Sequence, residues 1–135
     1  MNKYHIEPSD MSPEILLDPD NNTFIIRGTS GPEDVRGIYF PVIKWLTDFR
    51  THILSAANSD FTEEKPFIMQ FDLSYFNSSS AKFLYDIVHE LRSMKESGIP
   101  VAVTWHYDEE DTDMMEAGED LSYLAEFEFV YLKKQ

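Results

Sequence analysis

The stretch YFNSSSAKFLYDIVHEL (Tyr75–Leu91) places an asparagine and three serines where a β-rich run gives way to an amphipathic helix. Hydroxyls at such a joint support three kinds of chemistry. One can cap the helix, accepting an orphan backbone N–H for about 1 kcal/mol. One can act as a nucleophile on a strand-turn-helix elbow, but Phe76 and Ser80 stand where that elbow needs glycines. A general base is also missing nearby: His89 projects to the outer face of its helix, His5 and His52 lie in a tail and a helix end, and His106 ends a strand. The third role is phosphoacceptor. A helix N-terminus offers free N–H groups and the positive end of a dipole, so it tolerates a dianion without unfolding.

A helical projection at about 100° per residue separates the three serines. Phe83, Leu84, Ile87, Val88, Leu91 and Met94 define the apolar stripe. Ser80 falls near its middle and is expected to be buried as a small packing residue. Ser79 falls at the rim. Ser78 lies almost opposite, facing solvent at the cap or first helical position.

The acidic run DEEDTDMMEAGED (Asp108–Asp120) is the second concentration of reactive groups. A calcium loop needs ligands at fixed odd spacing around a turn glycine. Asp111 and Asp113 begin such a pattern, but Met115 and Glu116 occupy the next ligand and glycine places, so no metal site is assigned. Acids in a first helical turn also suit the dipole. The sharper reading makes Asp111, Asp113 and Glu116, with Met114 and Met115, part of a protein-docking face, because adaptable methionines beside acids suit a protein partner. Trp45 is either an interface anchor or buried against the sheet, and burial is preferred.

The elements that position these groups alternate. EILLD (Glu14–Asp18) and TFIIRG (Thr23–Gly28) form a hairpin around PDNN. Ser30 and Glu33 have capping-box spacing. A helix follows through Val35, Ile38, Tyr39, Val42, Leu46, Phe49 and Ile53, with Pro41 expected to kink or restart it. After the polar loop AANSDFTEEKP, Phe67–Ser74 is nearly continuous in apolar residues, as a central strand buried on both faces would be. The serine joint and its helix come next, closed by Gly98 and Pro100. Then follow a strand at Val101–Tyr107, the acidic helix, and a last strand at Phe127–Leu132. The order β-β-α-β-α-β-α-β predicts a single α/β domain over 1–135, with residues 1–12 loosely ordered. Its sheet is mixed but mainly parallel, with an N-terminal hairpin and about three helices.

Composition narrows the function classes. A chain of 135 residues, 42% hydrophobic, is large enough for one core without staples. There is no cysteine, which excludes disulfides and thiolate chemistry. No apolar h-region or membrane-length run is present, which points to the cytoplasm. With 25 Asp plus Glu against 11 Lys plus Arg, the net charge is −14. Nucleic acid and anionic membranes are therefore poor partners, and a basic protein surface is a better one.

The serine joint after an Asp-containing apolar strand resembles the STAS domain of anti-sigma factor antagonists. YFNSSSAK (Tyr75–Lys82), GTSGPEDVRGIYFPVIKWL (Gly28–Leu46) and VTWHYDEEDTDMMEAGE (Val103–Glu119) together resemble the SiaC family of bacterial regulatory phosphoproteins. That resemblance implies a STAS-like fold without enzymatic activity, cofactor or small-molecule substrate. It implies a partner switch run by a protein kinase and a metal-dependent serine phosphatase. The effector would typically be a diguanylate cyclase, which ties the chain to cyclic di-GMP signalling and biofilm control. The family's phosphoacceptor directly follows the asparagine, which is Ser78 here, with Ser79 the alternative because it is chemically alike. The partner-facing set takes in Asn77, Ser79 and Lys82 of the signature with Asp111, Asp113, Met114, Met115 and Glu116. Gly31 stands where the family pattern has an aromatic. The rival readings are a small serine- or metal-dependent hydrolase and a constitutive binding module with no covalent switch.

Overall fold

Strong local turn chemistry starts the sheet. Strand β2 (Glu14–Asp18) and strand β3 (Thr23–Ser30) pair antiparallel with Asp18 opposite Thr23. The loop between them is closed by the Asp18 carboxylate, which accepts from the Asn21 side chain at 2.7 Å, and by Asn22 in the left-handed conformation (φ 50°). The computed structural model describes residues 1–56 and 60–134. Residues 57–59 of the expected polar loop and Gln135 lie outside the described residues.

Strand β1 (Tyr4–Ile6) corrects the expectation of loose order for that part of residues 1–12. It pairs antiparallel with β2, and the Trp45 indole donates to the Asn2 carbonyl at 3.0 Å. Three residues are too short to carry a sequence signal of their own, and the neighbouring strand supplies the order. Trp45 is buried, as preferred, and stacks on Phe49.

Helix α1 (Val35–Ser55), strand β4 (Phe67–Phe76), helix α2 (Ser78–Glu96), strand β5 (Val101–Asp108), helix α3 (Thr112–Ala125) and strand β6 (Val130–Lys134) follow. The sheet order is β1-β2-β3-β4-β5-β6, and every pair from β3 onward is parallel. Parallel neighbours need crossovers, and the three helices supply them. The helices lie side by side on one face. Phe24, Phe67, Met69, Phe71, Val103 and Trp105 from the strands share one core with Leu46 and Phe49 of α1, Leu84 and Val88 of α2, and Met114 and Leu121 of α3.

Among the described residues no helix covers the opposite face, which overturns the expectation that β4 is buried on both sides. Along β4, Phe67, Met69, Phe71 and Leu73 are buried, whereas Ile68 and Ser74 are exposed and Gln70 and Asp72 half-buried. Successive side chains of a strand point to opposite faces, so a one-sided sheet alternates even where its composition reads apolar. The uncovered face carries the register row His5, Leu16, Ile25, Gln70, Thr104 and Val130.

The elements also differ locally from the sequence reading: β3, β4 and β5 each run one or two residues further, and α3 starts at Thr112 rather than Asp108. The cap of α1 is Asp34, whose carboxylate accepts from the Gly37 N–H at 3.0 Å, not Ser30. Helix α1 runs unbroken through Pro41, which is exposed and has no N–H to donate to the Gly37 carbonyl. The last strand begins at Val130 rather than Phe127, because α3 ends with Glu126 left-handed (φ 53°), and the chain then turns through the buried Phe127 and Phe129.

Candidate functional site

The joint between β4 and α2 is built from backbone and side-chain hydrogen bonds that reach across the sheet. Asn77 is the cap: its Oδ1 accepts from the Ser80 N–H at 2.9 Å, and its carbonyl accepts from the Ala81 N–H at 2.9 Å. Its own N–H donates to the Ser30 carbonyl at 3.0 Å, tying the helix start to the end of β3. The same carbonyl accepts from Ser80 Oγ at 2.9 Å, and Ser30 Oγ donates to Ser80 Oγ at 2.8 Å. With the Ser30 proton so directed, the Tyr39 hydroxyl is the donor to Ser30 Oγ, at 2.5 Å. Ser30, Tyr39 and Ser80 are all fully buried. Burial pushes the Tyr39 hydroxyl up to about 12, with its hydroxyl partners offsetting part of the rise.

Ser80 is thus buried, as its projection predicts, but it is more than a small packing residue. It is one link of a polar chain whose other links come from β3 and α1. Sequence reasoning missed Ser30 and Tyr39 because their partner lies 50 residues from Ser30. The only signal was a Ser30 that fits a cap position and a tyrosine inside an apolar stripe.

Ser78 and Ser79 are exposed as the first two residues of α2. Among the described residues neither hydroxyl has a hydrogen-bond partner. Their backbone N–H groups belong to the unpaired first turn of the helix. Lys82, one turn further on, is exposed; its ammonium pairs with Asp86 at 2.7 Å and sits 4.8 Å from the centroid of the Phe83 ring.

The acidic block begins beside this joint. Asp111 caps α3 by accepting from the Met114 N–H at 3.0 Å. Asp113 and Glu116 are exposed and Met115 is half-buried. Met114 turns inward, with its carbonyl accepting from the Trp105 indole at 2.9 Å. It reaches only the floor of a cleft of about 370 Å³ lined by Ser74, Tyr75, Phe76, Asp111, Asp113 and Ala117. A second groove, about 360 Å³, runs between α2 and α3 over Phe76, Ala81, Tyr85, Leu121 and Leu124, with Lys82 and Asp120 at its sides. Phe76 lines both. The serine joint and the acidic helix start, separate in sequence, therefore meet at the C-terminal ends of β4 and β5. Open α/β sheets form their binding crevices at that edge.

Gly31 lies against the joint. A Cβ there would meet the Met11 methyl at 2.8 Å and would approach Tyr75 and Asn77 at 3.6 and 3.7 Å. The space an aromatic would leave from is bordered by Met11, whose carbonyl accepts from the Gly31 N–H. Away from this edge, His5, Glu7 and Glu14 bring one ligand atom each within 4.8 Å of one another. Arg27 already neutralises Glu14 there, which makes the cluster a poor cation site.

Residues 6–134 match the family described as SiaC family regulatory phosphoprotein. The chain belongs to the SiaC family. An uncharacterized protein of Pseudomonas aeruginosa (strain UCBPP-PA14) is 27% identical over 129 residues, covering 96% of this chain and 94% of that protein. The fold matches apo-SiaC from Pseudomonas aeruginosa with a TM-score of 0.78 at 24% identity, over 100% of both chains. It also matches SiaC solved in complex with the diguanylate cyclase SiaD, which that SiaC activates. The TM-score there is 0.81 at 27% identity, over 97% of this chain and 99% of the other. Members of this family regulate, and the chain is a regulatory protein rather than an enzyme. No helix among the described residues is long and apolar enough to cross a membrane.

Proposed function

We propose that this chain is a partner-switching protein whose state is set by reversible phosphorylation of Ser78. The observation that carries the reading is the division of labour at the joint. Asn77 caps, Ser80 is locked in a buried network, and Ser78 is exposed with no structural task. A hydroxyl that holds nothing together can be modified without unfolding the helix, and the helix N-terminus favours the charge it gains. Ser79 is the alternative acceptor, being exposed as well. Family membership supports a phosphoprotein, and the likeness to an activator of a diguanylate cyclase supports such a cyclase as the effector. A protein kinase would add the phosphate and a metal-dependent serine phosphatase would remove it.

The docking face would be the edge where Asn77, Ser79 and Lys82 meet Asp111, Asp113, Met115 and Glu116, with the buried Met114 beneath it. At a net charge of −14, further negative charge acts locally, by opposing or poorly desolvating against the effector surface. The test is phosphosite mapping after incubation with the cognate kinase, together with effector binding by Ser78→Ala and by the phosphorylated protein. Ser78→Ala is expected to fold, to resist phosphorylation and to stay in the unphosphorylated binding state. Full phosphorylation of Ser78→Ala would overturn the site. Unchanged effector binding on phosphorylation would overturn the switch.

A further inference from the structure

Lys82 is held in an ion pair that its position on the helix does not favour. Side chains on an α-helix incline toward its N-terminus. An acid therefore pairs best with a lysine four residues C-terminal to it, and the reverse order is weaker. Lys82 to Asp86 is the reverse order: the lysine must reach forward, against its natural lean, to a single carboxylate. The pair is also solvent-facing, with the lysine side chain 67% exposed, so little holds it in place. Ser78 stands four residues N-terminal to Lys82, on the side toward which the lysine leans, with Cβ atoms about 5–6 Å apart by helix geometry.

We infer that Lys82 is the internal receptor for the phosphoryl group at Ser78, leaving Asp86 when the phosphate arrives. The inference rests on reading Ser78 as the phosphoacceptor. The phosphate presents nearly two charges and three acceptor oxygens in the favoured i,i+4 order, against one carboxylate in the unfavoured order. The exchange has a consequence one turn away. Among the described residues lining the α2–α3 groove, Lys82 is the one cation, and Asp120 lies across from it. Once Lys82 swings to the joint, that groove loses its positive charge, which leaves Asp120 as the charged residue lining it, and Asp86 loses its partner on α2. Phosphorylation then changes two surfaces together: the joint gains a partly neutralised dianion, and the apolar groove loses the cation that faced Asp120.

Arg36 supplies the competing explanation. It is exposed in the first turn of α1, and α1 packs beside α2 through Tyr39 and Phe40 against Phe83. It therefore belongs in the test as the rival cation.

The experiment uses full-length protein carrying phosphoserine at position 78 installed during translation by genetic-code expansion. Phosphorus NMR then reads the second ionisation of the phosphate, which is near 6 in a free phosphoserine. A cation in contact favours the dianion and lowers this value. Lys82→Gln is expected to raise it by about 0.3 unit relative to the otherwise wild-type phosphoprotein, the size of one surface i,i+4 pair. Lys82→Arg should restore it, Asp86→Asn should lower it slightly by releasing the lysine, and about 1 M salt should shrink the differences. An unchanged value in Lys82→Gln, or a shift produced by Arg36→Gln in its place, would overturn the assignment. Because the phosphate is installed without a kinase, this outcome is independent of whether a kinase chooses Ser78, so the two ideas fail separately.

Discussion

Replacing Ser80 by alanine should cost this protein more than replacing either exposed serine beside it, although the three are consecutive and chemically identical. Ser80 Oγ accepts from Ser30 Oγ and donates to the Ser30 carbonyl, in a site with no solvent access. Without it, the carbonyl keeps the Asn77 N–H, so that acceptor remains satisfied. The Ser30 proton has no such reserve. If it turns to Tyr39, the Tyr39 proton loses its acceptor, so one buried donor stays unpaired in either arrangement. An unpaired buried donor costs about 1–3 kcal/mol, and about 2 kcal/mol is expected here. Asn77→Ala removes the side-chain cap and should cost about 1 kcal/mol. Ser78→Ala removes a hydroxyl with no partner and introduces the better helix former, so its effect should stay within about 0.5 kcal/mol. Equilibrium urea unfolding followed by circular dichroism, with a common slope, measures all three. A loss above about 1 kcal/mol for Ser78→Ala would mean that a serine caps the helix after all. A loss below about 0.5 kcal/mol for Ser80→Ala would mean that the buried chain is not coupled as described.

Tyr39 gives the same network an alkaline signature. Its folded value of about 12 lies above the ordinary tyrosine value of about 10, so its stabilisation is complete below pH 10 and disappears as pH rises through 12. That is about 2–3 kcal/mol lost across the window, and Tyr39→Phe should lose that much less in parallel unfolding series at pH 9 and above. Gly118→Ala should destabilise by about 1–3 kcal/mol, although alanine normally favours a helix interior. The new Cβ would lie 2.5 Å from Nε1 of the buried Trp105, and thermal unfolding would read the loss. Glu14 is held below the usual carboxylate range by Arg27 first and His5 second. Its contribution is present above its unfolded value and lost as pH falls through the folded one, and Arg27→Gln should raise its titration midpoint in carbon NMR.

The sequence by itself determined what depends on periodicity within one element. The stripe from Phe83 to Met94 fixed the orientation of α2 and sorted buried Ser80 from exposed Ser78 before any partner was known. The acidic run could be read as a helix for the same reason, but only the structure put its start after the Asp111 cap rather than at Asp108. The spacing of strands and helices was enough for a mainly parallel sheet, because parallel neighbours require crossovers. Tertiary structure alone decided which surfaces those elements meet. All three helices chose one face, so the apolar run of β4 alternates and leaves Ile68 exposed. Strand β1 exists because β2 offers it an open edge. Ser30 became the link between Tyr39 and Ser80 rather than a cap, and the α3 start came to lie beside Tyr75 and Phe76. Helical and strand periods record which way a side chain points. They carry no information about what stands opposite, and that is settled only when contacts distant in sequence close together.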